Sequence, residues 1–273
     1  MRLMILQMTA SDDPQDNLSV VLDAMDQTQG VADILMTPEV TNCVSLSRAH
    51  QNQVLDLWDG NGFLAAVQAR AVALGIWVLL GSVAVKTNDP DGRFANRSVL
   101  VSPMGRIAAW YDKIHMFDVT LPNGETYTES NGYRPGDCAV LARTPWAMLG
   151  LSVCYDVRFP YLYRDLAQSG AQVLTVPSAF AVATGQAHWE TLLRARAIET
   201  GCFVVAPAQT GTHPGSGRKT YGHSLVIDPW GQVVLDMGTA SGLQSCTLDL
   251  GQVDTARAAV PSVMATQTYK MDV

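Results

Sequence analysis

The chain lacks the features that announce most function classes. Only 16% of its residues are charged, its basic residues form no Lys/Arg run, and the net charge is -7. That balance argues against a nucleic-acid surface. The five cysteines (Cys43, Cys138, Cys154, Cys202 and Cys246) are widely spaced and contain no CxxC. A disulfide framework or structural zinc site is therefore not expected, and a reducing cytoplasm fits best. No apolar run is long enough to span a membrane. The opening MRLMILQMTA is short and broken by Gln7, so it reads as a strand rather than a signal peptide. There is no Gly-x-Gly-x-x-Gly after a strand, no phosphate-binding loop and no His-Glu-x-x-His, so nucleotide, nicotinamide and zinc chemistry lack a motif and no cofactor or metal is expected.

What is present is a large apolar core. Hydrophobic residues make up 48% of the 273, which favours a folded enzyme-sized unit over a disordered chain. Strand-like and helix-like segments alternate. Leu3 to Gln7 reads as a strand and Asn17 to Gln29 as a helix, with Leu18, Val21, Leu22 and Met25 at helical spacing. Strand Ala32 to Met36, helix Gly62 to Leu74 capped by Gly75, and strand Ile76 to Val85 follow. Strands at 98–101 and 107–111 flank the turn Pro103-Met104-Gly105-Arg106. Residues 117–137 read as a long irregular loop, a segment type that is often functional.

A helix is expected from Cys154 to Gln168, then a strand at 172–176, a helix from His188 to Thr200, and strands at 202–206, 223–228 and 232–235. The tail from Asp254 is weakly patterned. No linker or repeat divides the chain, so residues 1–273 read as one domain. The mixture of crossovers and hairpins predicts two sheets packed face to face with helices outside.

Three residues stand at the ends of apolar strands. Cys154 closes the run AMLGLSV and opens YDVRFP. A thiol in a strand is ordinarily a buried structural residue. At a strand-to-helix turn it instead faces a cleft, where backbone N–H groups stabilise a thiolate or an oxyanion. Glu39 ends ILMTPE, where Pro38 stiffens the backbone; it is either a solvated strand-end carboxylate or, if desolvated, a base with a raised pKa. Lys113 follows IAAWYD and is either a surface lysine or a fixed cation beside a reacting carbonyl. Glu129, in the long loop, would hold Lys113 or assist the base. A Cys-His hydrolase is the alternative, since His115, His188 and His223 are available.

These segments resemble the nitrilase superfamily of carbon–nitrogen hydrolases over nearly the whole chain. The first strand with Gln7, TPE at Glu39, YDKIHMFD at Lys113 and GLSVCYDVRFP at Cys154 carry the likeness. The family's Glu, Lys and Cys triad falls on Glu39, Lys113 and Cys154, and its additional glutamate on Glu129. Thr37 departs from the aromatic or aliphatic residue that commonly precedes Pro-Glu. Downstream, PSAFAVATGQAHWETLLRARAIETG and YGHS with DPWG are similar to the amidase branch that contains deaminated-glutathione amidase and omega-amidase.

The resemblance implies a four-layer α-β-β-α sandwich, commonly a homodimer. It also implies a thiol amidase for a small carboxylate-bearing amide, working through a thioester without a cofactor. In that reading the backbone N–H of Tyr155 joins Lys113 at the oxyanion. Arg158 reaches the cleft to pair with a substrate carboxylate, or else pairs with an acid on its own helix, and Phe180 and Thr184 line the pocket. Deaminated glutathione is the favoured substrate and 2-oxoglutaramate the runner-up. An N-carbamoyl amidohydrolase and a non-catalytic scaffold on the same fold complete the alternatives.

Overall fold

A computed structural model describes residues 1–121 and 124–272. Pro122, Asn123 and Val273, which fall within the expected loop at 117–137 and the expected domain 1–273, lie outside the described residues. In chain order the first elements are β1 (Arg2–Gln7), α1 (Pro14–Thr28), β2 (Ile34–Met36), α2 (Arg48–Val54), α3 (Gly62–Leu74), β3 (Trp77–Val85), β4 (Ala95–Val101) and β5 (Ile107–Asp112). Next come β6 (Asp118–Thr120), β7 (Thr126–Thr128), β8 (Val140–Arg143), β9 (Met148–Leu151), α4 (Pro160–Gln168), β10 (Val173–Thr175) and α5 (Val182–Thr200). The remainder is β11 (Phe203–Ala206), β12 (Thr210–Thr212), β13 (Lys219–Tyr221), β14 (Leu225–Ile227), β15 (Val233–Asp236), β16 (Gly242–Thr247) and α6 (Gly251–Ala259).

Two six-stranded sheets result, in the orders β16-β1-β2-β3-β4-β5 and β15-β14-β11-β10-β9-β8. Each has a parallel centre, β1-β2-β3 and β9-β10-β11, flanked by antiparallel strands. Alternation within the strands explains the stacking, because successive side chains face opposite sides of a sheet. Leu3, Ile5, Ile34 and Met36 enter one core with Leu149, Leu151 and Val173 of the second sheet. Met4, Leu6 and Leu35 enter another with Val21, Met25, Val67 and Ala71 of α1 and α3. On the far side, Leu174 meets Leu166 of α4 across Gly150, where an added Cβ would lie 2.9 Å from Leu174. The layers are therefore α, β, β, α, as expected, and strands buried on both faces read as continuous apolar runs.

The helix ends follow local chemistry. The Asp13 side chain accepts from the Gln15 N–H with Pro14 in the first turn of α1, and Gly75 closes α3 at φ 68. Four expectations change. The helix expected from Cys154 is a 3-10 turn over Cys154–Arg158, and α4 begins only at Pro160, whose ring suits a helix start and not an interior. Helix α5 starts at Val182, not His188; Gly185, a poor helix former, masks its first turns in the sequence. The 117–137 loop contains the hairpin β6–β7 and a 3-10 turn at Glu129–Asn131. The tail from Asp254 continues α6, with Val253, Ala256 and Val263 buried.

Candidate active site

Glu39 leaves β2 at a point where the two sheets nearly touch. A Cβ on Gly81 of β3 would lie 2.0 Å from the Thr37 carbonyl oxygen and 2.4 Å from Pro177, so only glycine fits. That approach brings the Ala179 N–H, in the connection that follows β10 of the second sheet, to Glu39 Oε2, to which it donates at 2.7 Å. The next residue, Val40, is held at φ 47, unusual for a β-branched side chain, and its N–H donates to Ser82 Oγ at 2.8 Å. Cys154 leaves β9 at φ 51, also left-handed, with its N–H donating to the Pro177 carbonyl at 3.0 Å. Strained backbone of this kind persists where surrounding structure holds it, and it concentrates at functional sites.

The turn after Cys154 is anchored by Asp156, a fully buried carboxylate. It accepts from the Val153 N–H at 2.8 Å, the Tyr111 hydroxyl at 2.7 Å and the His115 N–H at 3.0 Å. Tyr111 and His115 flank Lys113, so one carboxylate ties the lysine's strand end to the cysteine's.

The charged groups form a buried cluster. Lys113 Nζ donates to Glu39 Oε1 at 3.0 Å and to both oxygens of Glu129 at 2.9 and 2.8 Å. Asn96 Nδ2 donates to Glu39 Oε1 at 2.9 Å, and the Phe117 N–H to Glu129 Oε2 at 2.7 Å. Glu39, Lys113 and Cys154 are 4%, 2% and 8% exposed. Burial pushes the Glu39 carboxyl up, but the Lys113 charge, the Cys154 thiol and Arg218 outweigh it and hold it below the usual carboxylate range. The raised Glu39 pKa expected from burial is thus corrected by its partners. Burial, then the Glu39 charge, push the Cys154 thiol well up against the pull of Lys113. Burial pulls Lys113 down, yet Glu129 and then Glu39 lift it well above an ordinary lysine. The resting pair is a neutral thiol facing a carboxylate.

These groups open onto a cavity of 330 Å³. Glu39, Lys113, Glu129, Cys154, Tyr155, Phe180 and Thr184 all line it. The Tyr155 N–H lies in the first turn of the 3-10 helix, where backbone donors have no intrahelical acceptor. Arg158 is not among the lining residues. Its Nη2 sits 3.3 Å from His188 Nδ1, and its guanidinium lies near the Tyr155 and Phe180 rings, at 5.8 and 5.6 Å. The reason is the turn type: an α-helix would return residue i+4 to the face of residue i, whereas a 3-10 helix, at about three residues per turn, carries it roughly a third of a turn away.

Arg218, Asn96 and Tyr127 line the cavity and were not anticipated. Arg218 sits in the glycine-rich GSGRKT segment, which carries no periodic signal; Asn96 lay in an unremarkable polar stretch before VLV. Of the histidines considered as bases, His115 binds Asp156 and Tyr161, His188 meets Arg158 and His223 meets Asp236; none lines the cavity. Among the described residues no group of three or more His, Cys, Asp or Glu side chains is placed to hold a metal ion.

Known proteins resemble this chain. A family model described as carbon–nitrogen hydrolase matches residues 2–258. The chain is 37% identical over 231 residues to a deaminated glutathione amidase of Yersinia enterocolitica, covering 84% of this chain and 80% of that one. It is 42% identical over 199 residues to a deaminated glutathione amidase of Synechocystis sp., covering 72% and 73%. Among solved structures, the crystal structure of the C. elegans NitFhit protein matches with a TM-score of 0.90 at 34% identity, over 97% of this chain and 65% of that longer one.

Proposed function

The chain belongs to the carbon–nitrogen hydrolase family, and we propose that it cleaves deaminated glutathione, a carboxylate-bearing 2-oxo acid amide, through a thioester on Cys154. The observation that carries the chemistry is the buried cluster in which Lys113 bridges Glu39 and Glu129 beside the Cys154 thiol. The names of the relatives at 37% and 42% identity support the substrate.

Glu39, held ionised by Lys113, takes the thiol proton as sulfur attacks the amide carbonyl. A permanently ionised thiol is not needed, because the proton moves within the Glu39–Cys154 pair during attack. The oxyanion is stabilised by the Lys113 ammonium and the Tyr155 N–H. Protonated Glu39 gives its proton to the leaving amine, so the C–N bond breaks and the acyl group remains on sulfur. Glu39 then takes a proton from water, which attacks the thioester, and the thiol leaves with that proton. Deaminated glutathione releases Cys-Gly in the first half and 2-oxoglutarate in the second. Glu129 does not touch the reacting atoms in this scheme; it fixes and charges Lys113.

We also propose a cytoplasmic homodimer. Five unpaired thiols fit a reducing compartment, and exposed Tyr161, Ile198 and Trp230 on the α4–α5 side offer apolar surface to a second copy. Among the described residues no helix is long and apolar enough to cross a membrane.

The test is mass spectrometry of the quenched reaction together with rates on deaminated glutathione and 2-oxoglutaramate. A 2-oxoglutaryl adduct on Cys154 and faster turnover of deaminated glutathione are expected. Faster turnover of 2-oxoglutaramate would make the protein an omega-amidase, and an acyl adduct on any residue other than Cys154 would overturn the mechanism.

A further inference from the structure

The amide chemistry leaves one cation of the cavity without a task. Lys113 is committed to Glu39 and Glu129. Arg218 enters the same cavity from the connection between β12 and β13. Its Nη2 donates to the Ala179 carbonyl at 2.7 Å, and among the described residues no carboxylate lies within ion-pair range of it. Its Nε–H is buried and has no acceptor. Native structures rarely leave a buried donor of a charged group unsatisfied, so such a group marks where an absent acceptor belongs.

The surroundings say what that acceptor is. Ala179 connects Arg218 to the reaction centre, because its N–H binds Glu39 and its carbonyl receives the guanidinium. The cation therefore stands one residue beyond the base, on the same wall as Phe180. Tyr127 of β7 lies across from it, its ring 6.0 Å from the guanidinium. A charge held between an apolar wall and an aromatic ring, within reach of but distinct from the reacting atoms, suits an anion carried on the far end of the substrate. A planar guanidinium favours a carboxylate. In a 2-oxo dicarboxylic monoamide, two methylenes and a keto carbon separate the scissile carbonyl from the free carboxylate. That is a short, flexible span from Cys154 to the opposite wall of a small cavity.

We propose that Arg218 binds the free carboxylate of the acyl half of the substrate and so selects 2-oxo acid amides over neutral ones. The assignment rests on the amidase reading above and extends it to the residue that recognises the substrate. Arg158, the nearer arginine in sequence, does not line the cavity; its Nη2 sits against His188 Nδ1, and the assignment gives it no part in this task. The carboxylate anchored at Arg218 sets the depth at which the acyl chain lies, and so places the amide carbon over Cys154.

The experiment compares kcat/KM for a 2-oxo dicarboxylic monoamide and for the neutral amide pentanamide in wild type, Arg218→Met, Arg218→Lys and Arg158→Met, with circular dichroism to establish folding. The preference for the charged amide is expected to fall roughly 30- to 100-fold in Arg218→Met, the scale of a charged hydrogen bond. Most of the loss should appear in KM, Arg218→Lys should recover part of it, and Arg158→Met should keep the wild-type ratio. A wild-type ratio in Arg218→Met, or a collapse in Arg158→Met alone, would overturn the assignment. If Arg218→Met does not fold, the lysine variant decides: a full wild-type preference with an unchanged KM for the charged amide counts against a planar, bidentate role. A wild-type enzyme with no preference for the charged amide would instead defeat the substrate reading itself, so the two failures are distinguishable.

Discussion

Glu129 grips the Lys113 ammonium with both carboxylate oxygens, at 2.9 and 2.8 Å, while Glu39 reaches it with one oxygen at 3.0 Å. The residue that touches no reacting atom thus makes the fuller contact with the cation. Glu129→Gln is expected to lower kcat by about 100-fold, comparable to losing one oxyanion donor, with KM little changed. A structural role alone would also lower the amount of folded enzyme, so the pH profile is the discriminating readout. Glu129 is the main group lifting Lys113 against burial, so its loss should move the alkaline limb of kcat/KM to lower pH. An unmoved limb would reduce Glu129 to packing.

Lys113→Met removes the cation between two carboxylates. Activity should fall roughly 100- to 1,000-fold for the lost oxyanion donor. Stability should also drop, by about 3–5 kcal/mol, because breaking a buried pair leaves uncompensated charge. A second change, Glu129→Met in the same chain, should restore part of the stability but none of the activity. Denaturant midpoints and initial rates on the same preparations would show whether the two effects separate.

The thiol predicts a pH dependence of stability. Burial and the Glu39 charge raise the folded-state pKa of Cys154 above its unfolded value. Its contribution is therefore complete below the ordinary thiol value of ~8.5 and is lost as pH rises beyond it, since the unfolded chain gives up that proton first. Between about pH 9 and pH 10.5, wild type should lose up to roughly 1.4 kcal/mol per pH unit more than Cys154→Ala. Glu39 acts in the opposite window. Its folded pKa is depressed, so its contribution is present above the ordinary carboxylate value of ~4.3 and is lost as pH falls through the folded value. Parallel stability curves for wild type and Cys154→Ala in the alkaline range would contradict the buried, neutral thiol.

Gly81→Ala tests the contact between the sheets. The new methyl would meet the Thr37 and Pro38 carbonyl oxygens at 2.0 and 2.6 Å and the Pro177 Cβ at 2.4 Å, and neither a backbone carbonyl nor a proline ring can swing aside as a flexible side chain would. Overpacking should cost at least about 1–3 kcal/mol, and the Ala179 N–H should draw away from Glu39. A lowered Tm accompanied by reduced kcat is expected. Full activity in a folded variant would show that Glu39 is positioned without this contact.

Much of the architecture was legible because burial on both sheet faces leaves a simple mark. Runs such as ILM at 34–36 and MLGL at 148–151 have no polar face, and each ends just before the chain turns into chemistry, at Glu39 and at Cys154. Helix α3 was legible from its apolar face and the closing Gly75, whereas its N-cap, Asn61, was seen only in the structure. Helix α2 and strand β16 were not, being short or mostly exposed and held by partners far away in the chain; β16 pairs with β1 across more than two hundred residues.

The sequence alone determined which residue types the chemistry has: a thiol, a carboxylate and an ammonium at three strand ends, with a second glutamate in the loop between two of them. Strand ends are local properties, so composition and periodicity report them. The tertiary structure decided which charges meet and which ionise. It reversed the expected effect of burial on Glu39, because Lys113 at 3.0 Å, the Cys154 thiol and Arg218 together outweigh desolvation. It also left Arg158 off the cavity lining, beside His188, and brought Arg218 onto it. Sequence neighbours such as Cys154 and Arg158 are separated by the pitch of one short turn, whereas Arg218 and Glu39, 179 positions apart, come to the same wall through the pairing of two sheets.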